Sequence, residues 1–149
     1  MAVFSIRDML NDDIDAVMSV DQASFSTPWS REIFKREMNE NKYAYYFVIE
    51  ENDKIIGYAG LWIVEDDAQI TNIALLPEYR GYKIGEKLFG FSVQFAIKKG
   101  ASRLSLEVRE SNLVAQRLYR KFGLVPGGIR KGYYPDNNED AIVMWVNLN

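Results

Sequence analysis

The chain has 149 residues, 48% of them hydrophobic and 13% aromatic, enough for one packed core, and a single domain over residues 1–149 is the expectation. It has no cysteine and no histidine, which excludes disulfides, thiol nucleophiles, histidine-based serine triads and most transition-metal sites, so no metal is expected. A formal charge of −3 gives no general attraction to nucleic acid, and an amine or a basic peptide is the easier partner.

The longest nearly unbroken apolar run, Ile55 to Val64, includes two glycines and is half the roughly 20 residues a membrane helix needs. The start, "MAVFSIRD", has neither the basic opening nor the apolar core of a signal peptide, so a cytoplasmic location away from membranes is expected. Val3 to Arg7 reads as a strand. Asn11 or Asp12 then caps a helix to about Ala23, with Ile14, Val17, Met18 and Ala23 on its apolar side. "SFSTPWS" breaks that pattern, and Ser30 caps a second helix to about Met38 with Ile33, Phe34 and Met38 on one face. Pro28 keeps the two helices apart, leaving an aromatic loop between them.

β-rich runs from Tyr45 to Glu51 and from Lys54 to Val64 meet at "ENDK", a hairpin signal, and Ala68 to Leu76 follows the acidic "EDD". These three make an antiparallel meander that Pro77 ends. Ile84, Leu88, Phe91 and Phe95 recur at helical spacing until Lys98, Lys99 and Gly100 close the helix. Arg103 to Val108 is a strand. Ser111 or Asn112 then caps a helix whose buried stripe is Ala115, Leu118 and Phe122, and Gly123 stops it. A strand, helix, strand, helix order implies a parallel pair with a right-handed crossover. Leu124 to Ile129 and Ala141 to Leu148 add strands around the polar loop "RKGYYPDNNED". The fold class is α+β: a mixed, mostly antiparallel sheet of about seven strands with about four helices.

The segment "YRGYKIGEKLFGF" runs from a loop into a helix, where free backbone amides and the helix dipole favour an anion. It lacks the spacing and the Ser/Thr of a P-loop, and no GxGxxG follows any strand. What remains is R-x-x-K-x-G, Arg80 to Gly85, which alone reads equally well as a helix entry with turn glycines.

Context separates the two. "NIALLPEYRGYKIGEKL" followed by "LEVRESNLVAQRLYRKFGL" resembles the GNAT superfamily of acetyl-CoA-dependent N-acetyltransferases, whose pyrophosphate loop reads Q/R-x-x-G-x-G/A. Arg80 and Gly85 match that loop, and Lys83 stands where its first glycine usually is. "FSTPWS", "LEVRESN", "LYRKFG" and "RKGYYP…EDAIVM" look like the RimI-type members, which acetylate the N-terminal alanine of ribosomal protein S18.

The resemblance implies a GNAT fold whose central parallel strands splay to hold acetyl-CoA. Backbone groups of Ile73, Ala74 and Leu75 would pair with the pantetheine arm, and Asn112 would touch the cofactor. Arg80 and the amides of Gly81, Tyr82, Lys83, Ile84, Gly85 and Glu86 would hold the pyrophosphate. Lys83 can serve as the absent glycine would, provided its φ stays in the ordinary region. Glu107 falls on the family's catalytic base, acting through a water, and Tyr119 on the acid that protonates the departing coenzyme A. A peptide N-terminus would lie among Phe25, Trp29, Tyr133 and Tyr134, and acidic residues such as Glu32, Asp136, Glu139 and Asp140 would attract a basic tail.

Read without the resemblance, these residues have plainer roles. Glu107 is a strand-end carboxylate paired with Arg103 or Arg109, Tyr119 a core-edge tyrosine, Asn112 an N-cap, Ile73 to Leu75 a buried strand, and the aromatics core plugs. Two other functions stay open: the same chemistry on a lysine or small amine, and a non-catalytic acetyl-CoA-binding or interaction module, for which Lys83 is the one hint.

Overall fold

The structure is a computed structural model that describes residues 3–81 and 83–148. In chain order the described residues form β1 (Phe4–Asp8), α1 (Ile14–Ser24), α2 (Arg31–Asn39), β2 (Ala44–Glu51), β3 (Lys54–Val64), β4 (Asp67–Leu75), α3 (Ile84–Lys98), β5 (Arg103–Arg109), α4 (Leu113–Lys121), β6 (Val125–Tyr134) and β7 (Glu139–Asn147). The strands make one sheet in the order β1-β2-β3-β4-β5-β7-β6. It is the mixed, mostly antiparallel sheet expected, with β4 and β5 its parallel pair. Their ladder runs from Asp67 opposite Arg103 to Gln69 opposite Ser105, three residues of the nine in β4. Among the described residues no helix is long and apolar enough to cross a membrane. Two compact units emerge from the backbone contacts, Met1–Trp62 with Thr71–Ser92, and Ile63–Ile70 with Val93–Asn149.

In the first unit, Asn52 and Asp53 adopt left-handed φ of 49° and 73°, the turn geometry that lets β2 and β3 pair directly from Glu51 opposite Lys54. Ser30 caps α2 as expected, its hydroxyl accepting from the Ile33 amide at 3.3 Å. The start of α1 differs from expectation. Residues 11–13 form a 3-10 turn, and the carboxylate of Asp13 faces backward, accepting from the Leu10 amide at 2.7 Å and from Arg7 at 2.7 and 2.9 Å. The buried side of α1 is Ile14, Val17, Val20 and Asp21, whereas Ala23 is exposed. Asp21 tolerates burial because Tyr58 donates to its Oδ1 and the Trp29 amide to its Oδ2 at 2.8 Å. Burial pushes the Asp21 carboxyl up, and those two hydrogen bonds oppose the shift.

One core layer of this unit packs Ile14, Val17, Val20, Phe34, Tyr46 and Tyr58 against Ala74; the other sets Ile49, Ile56 and Ala59 against Ile84 and Leu88. Alternation along β4 is why Ala74 serves one layer while Ile73 and Leu75 serve the other. Gly57 lets β3 come close behind this segment: a Cβ there would lie 2.8 Å from the Ala74 carbonyl oxygen. The buried positions of α3 are Ile84, Leu88, Phe89, Ser92, Val93 and Ala96, so the stripe is rotated from the expected one. Phe91 is 36% exposed, with its ring edge-on to Phe47 at 5.0 Å.

In the second unit, β5 buries Leu104, Leu106 and Val108 and turns Ser105, Glu107 and Arg109 to the other face. The stripe of α4 also departs from expectation. Gln116 and Tyr119 are its buried residues, and Ala115, Leu118 and Phe122 are only half-buried. Gln116 can turn inward because its amide donates to the Arg109 and Glu110 carbonyls, both at 3.0 Å. Finally, β6 continues through Tyr134, so Arg130 to Tyr134 is strand rather than loop. An irregularity between Arg130 and Tyr134 is accommodated at Gly132, whose φ is +59° and whose amide donates to Asp140 at 2.8 Å.

Candidate active site

Glu107 lies on β5 opposite Val143 of β7, with its side chain 13% exposed. Its Oε1 accepts from Gln69 Nε2 at 2.9 Å, and its Oε2 lies 3.6 Å from Arg130 Nε. The expected pairing with Arg103 or Arg109 is not the one found. The Arg103 guanidinium stacks 4.7 Å from the Trp145 ring. Arg109 binds Asp136 at 2.9 Å and Glu139 at 3.1 Å and lies 4.0 Å from the centre of the Tyr134 ring. Lys131 meets Asp140 at 3.3 Å, so three carboxylates read as bait for a basic tail already have basic partners.

Tyr119 is 6% exposed, deeper than the core-edge place its spacing suggested. Burial first, then the nearby Tyr134, pushes its phenol up to about 12, so it carries its proton at any physiological pH. Tyr134 is likewise pushed up to about 12, chiefly by burial, with Arg109 opposing. Tyr133 meets Tyr134 edge to face at 5.1 Å, and its phenol is raised by burial and then by the nearby Glu107. The second unit therefore holds a carboxylate fixed by a hydrogen bond from Gln69 and a buried, protonated phenol. Sequence reasoning missed Gln69 and Arg130; the signal for Gln69 is its parity on β4, opposite to buried Ala68 and Ile70, combined with the parallel register.

Asn112 is the N-cap of α4, its side chain accepting from the Ala115 amide at 3.1 Å. In the first unit, Phe25 is 41% exposed, while half-buried Trp29 packs edge-on to Phe34 at 5.3 Å and Tyr46 at 6.4 Å. Trp29 thus anchors its loop to the core. Arg80 donates to the Leu75 carbonyl at 3.1 Å and to Ser24 Oγ at 3.2 Å, tying the loop to the end of β4. Tyr82 lies outside the described residues.

Gly81 has φ +88° and Lys83 φ +63°, directly before α3. The condition set on Lys83, an ordinary φ, is therefore not met: the backbone takes the left-handed form that suits a glycine, and a lysine occupies it. For an L-residue that form costs about 1–2 kcal/mol, and glycine gives back roughly 0.5–1 kcal/mol through the freer unfolded chain. Lys83→Gly is therefore expected to raise stability by up to about 1 kcal/mol in urea denaturation, against a loss if the lysine side chain supports the loop.

The donor set here fits a diphosphate. The amides of Ile84 and Gly85 lie in the first turn of the 15-residue α3, at the end where the helix dipole favours an anion, and the guanidinium of Arg80 and ammonium of Lys83 stand on exposed residues beside them. A Cβ on Gly85 would meet only Leu75 Cδ1, at an ordinary 3.5 Å, so packing does not demand a glycine there. Among the described residues no group of three or more His, Cys, Asp or Glu side chains is arranged to hold a metal ion.

Residues 14–124 match the model of the acetyltransferase (GNAT) family. A Bacillus subtilis protein provisionally named [ribosomal protein bS18]-alanine N-acetyltransferase is 55% identical, over 97% of this chain and 96% of its own. The Escherichia coli [ribosomal protein bS18]-alanine N-acetyltransferase is 33% identical, over 94% and 95%. The crystal structure of the ribosomal-protein-S18-alanine N-acetyltransferase from Escherichia coli superposes with a TM-score of 0.90 at 31% identity, covering 99% of this chain and 95% of that one. Matched over most of its length by the family model and nearly end to end by these relatives, the chain belongs to the GNAT family of acetyltransferases.

Proposed function

We propose that the protein transfers the acetyl group of acetyl-CoA to a protein N-terminal α-amine, that of the alanine of ribosomal protein bS18, by direct attack with no covalent enzyme intermediate. The observation that carries the reading is the pair in the second unit, a carboxylate held by Gln69 and a buried phenol that keeps its proton. The names of the aligned relatives support the choice of acceptor. The absence of cysteine removes an acetyl-thiol enzyme.

Acetyl-CoA, when bound, supplies the thioester carbonyl that the amine attacks and the thiolate that departs. Ile73 and Ala74 offer backbone groups to its pantetheine arm; the Leu75 carbonyl already accepts from Arg80 at 3.1 Å, so that residue contributes less. The first-turn amides of α3, with Arg80 and Lys83, neutralise its diphosphate. Asn112 would contact it while capping α4.

Glu107 receives the proton the amine must shed, through a water. Its task is easier on an N-terminus than on a lysine. With reference values of roughly 7.7–8.0 and 10.4, about a tenth of α-amines are neutral at pH 7 against fewer than about one lysine in a thousand. The Tyr119 hydroxyl donates to the departing sulfur. A phenol near 12 does not give up its proton outright to a thiolate whose acid lies near about 8.5, so donation comes first and transfer completes as Glu107 returns a proton to the site. Phe25 and Trp29 in the first unit, and Tyr133 and Tyr134 in the second, are the aromatics proposed to contact the peptide.

The test offers the enzyme acetyl-CoA with two peptides, one beginning with the bS18 alanine and one with a blocked N-terminus and a free lysine. A mass gain on the first alone is expected. Gain on the second alone overturns the acceptor, and gain on neither favours a non-catalytic module.

A further inference from the structure

The two oxygens of Glu107 have unlike surroundings. Oε1 accepts a full hydrogen bond from Gln69 Nε2 at 2.9 Å, whereas Oε2 faces Arg130 Nε at 3.6 Å, beyond hydrogen-bond length. Gln69 sits within the parallel ladder, paired with Ser105, so its side chain meets Glu107 on the diagonal from a backbone fixed by β5. The other neighbours are more mobile in kind. Arg130 has a side chain 58% exposed, and Tyr133, whose phenol the Glu107 charge helps to raise, is 46% exposed near the end of β6. Tyr134 is the remaining titratable group whose charge is felt together with that of Glu107, and Val143 opposite on β7 is apolar.

A glutamate's terminal torsion is soft, so a carboxylate held at neither oxygen can present either one over a broad range of angles. A ladder-anchored amide on Oε1 removes that freedom. We infer that Gln69 is a positioning residue: it pins Oε1 of Glu107 and leaves Oε2 as the oxygen that takes the substrate's proton, with Arg130 the exposed cation that an incoming ammonium displaces. No bond of Gln69 is made or broken; the proton passes from the amine nitrogen through a water to Oε2. This rests on the reading of Glu107 as the base, and the variants below separate the two.

Turnover, the KM for acetyl-CoA and the pH dependence of kcat are measured with the alanine-starting peptide for the wild type, Gln69→Ala, Gln69→Glu and Glu107→Gln. Gln69→Ala is expected to lose about tenfold in kcat at every pH, with the acetyl-CoA KM unchanged. Gln69→Glu keeps the side-chain shape but can donate only while the introduced carboxyl is protonated, and two adjacent carboxyls hold one proton to higher pH. Its kcat relative to wild type should therefore rise severalfold from about pH 9 to about pH 6, a trend that a purely structural glutamine would not produce. Wild-type kcat in Gln69→Ala, or a flat ratio for Gln69→Glu, alongside a crippled Glu107→Gln overturns this inference alone. Wild-type turnover in Glu107→Gln overturns the assignment of the base, and this inference with it.

Discussion

Replacing Glu107 with glutamine is expected to lower turnover on a peptide N-terminus by about a hundredfold to ten-thousandfold near neutral pH, the usual span for a positioned acid or base. The substitution preserves the shape of the side chain, and its carbonyl oxygen can still accept from Gln69, so folding and acetyl-CoA binding should survive. In the proposed mechanism it removes the acceptor for the amine's proton. The deficit should therefore shrink as pH passes about 8, where the α-amine is neutral without help. The check is kcat against pH for the variant beside the wild type, with the KM for acetyl-CoA as the control. A variant with wild-type turnover near neutrality, or a deficit that does not change with pH, would remove Glu107 from the role of base.

The second large effect is expected from Tyr119→Phe. The ring is 6% exposed and packs in α4, so phenylalanine should keep the fold and lose only the hydroxyl. Turnover should fall by about a hundredfold, because in the proposed mechanism the departing sulfur loses its donor. This deficit should not recover with pH, since the missing group does not titrate in the working range. The wild-type phenol adds a sign that can be checked. Its value is raised from 10 to about 12, so the folded state holds that proton more tightly than the unfolded chain does. The stabilisation linked to it is complete below pH 10 and disappears as pH rises from 10 to about 12. The same shift means that ionisation of Tyr119 produces no fall in kcat below about pH 12. Alkaline denaturation of the wild type beside Tyr119→Phe measures the linkage, and an activity limb near pH 10 that vanishes in the variant would contradict it.

Much of the fold is legible in the sequence because it is written in apolar period. The hairpin at Asn52–Asp53, the Ser30 cap and the parallel β4–β5 pair all follow from local chemistry or element order. The departures cluster where polar side chains are buried. Asp21 and Gln116 turn inward because Tyr58, Trp29 and the carbonyls of Arg109 and Glu110 satisfy them, and no apolar periodicity announces those partners. The extension of β6 to Tyr134 depends likewise on its pairing with β7 through Glu139, a non-local fact.

The candidate site divides in the same way. Glu107 and Tyr119 stand out through motifs, whereas Gln69 becomes visible only once the register sets it diagonal to Glu107. At Lys83 the sequence shows an unusual residue in a glycine's place, and only the backbone reveals that the glycine's conformation has been kept, with φ +63°. Lys83 thus places a cation on a backbone conformation that suits a glycine. That is a simpler account of Lys83 than lost function.

The central claim concerns the acceptor, and the mass of intact bS18 from ribosomes of cells with and without this protein tests it most directly. The account predicts a bS18 that carries one N-terminal acetyl group when the protein is present and a free N-terminal alanine when it is absent. A bS18 acetylated equally in both, or in neither, would contradict it.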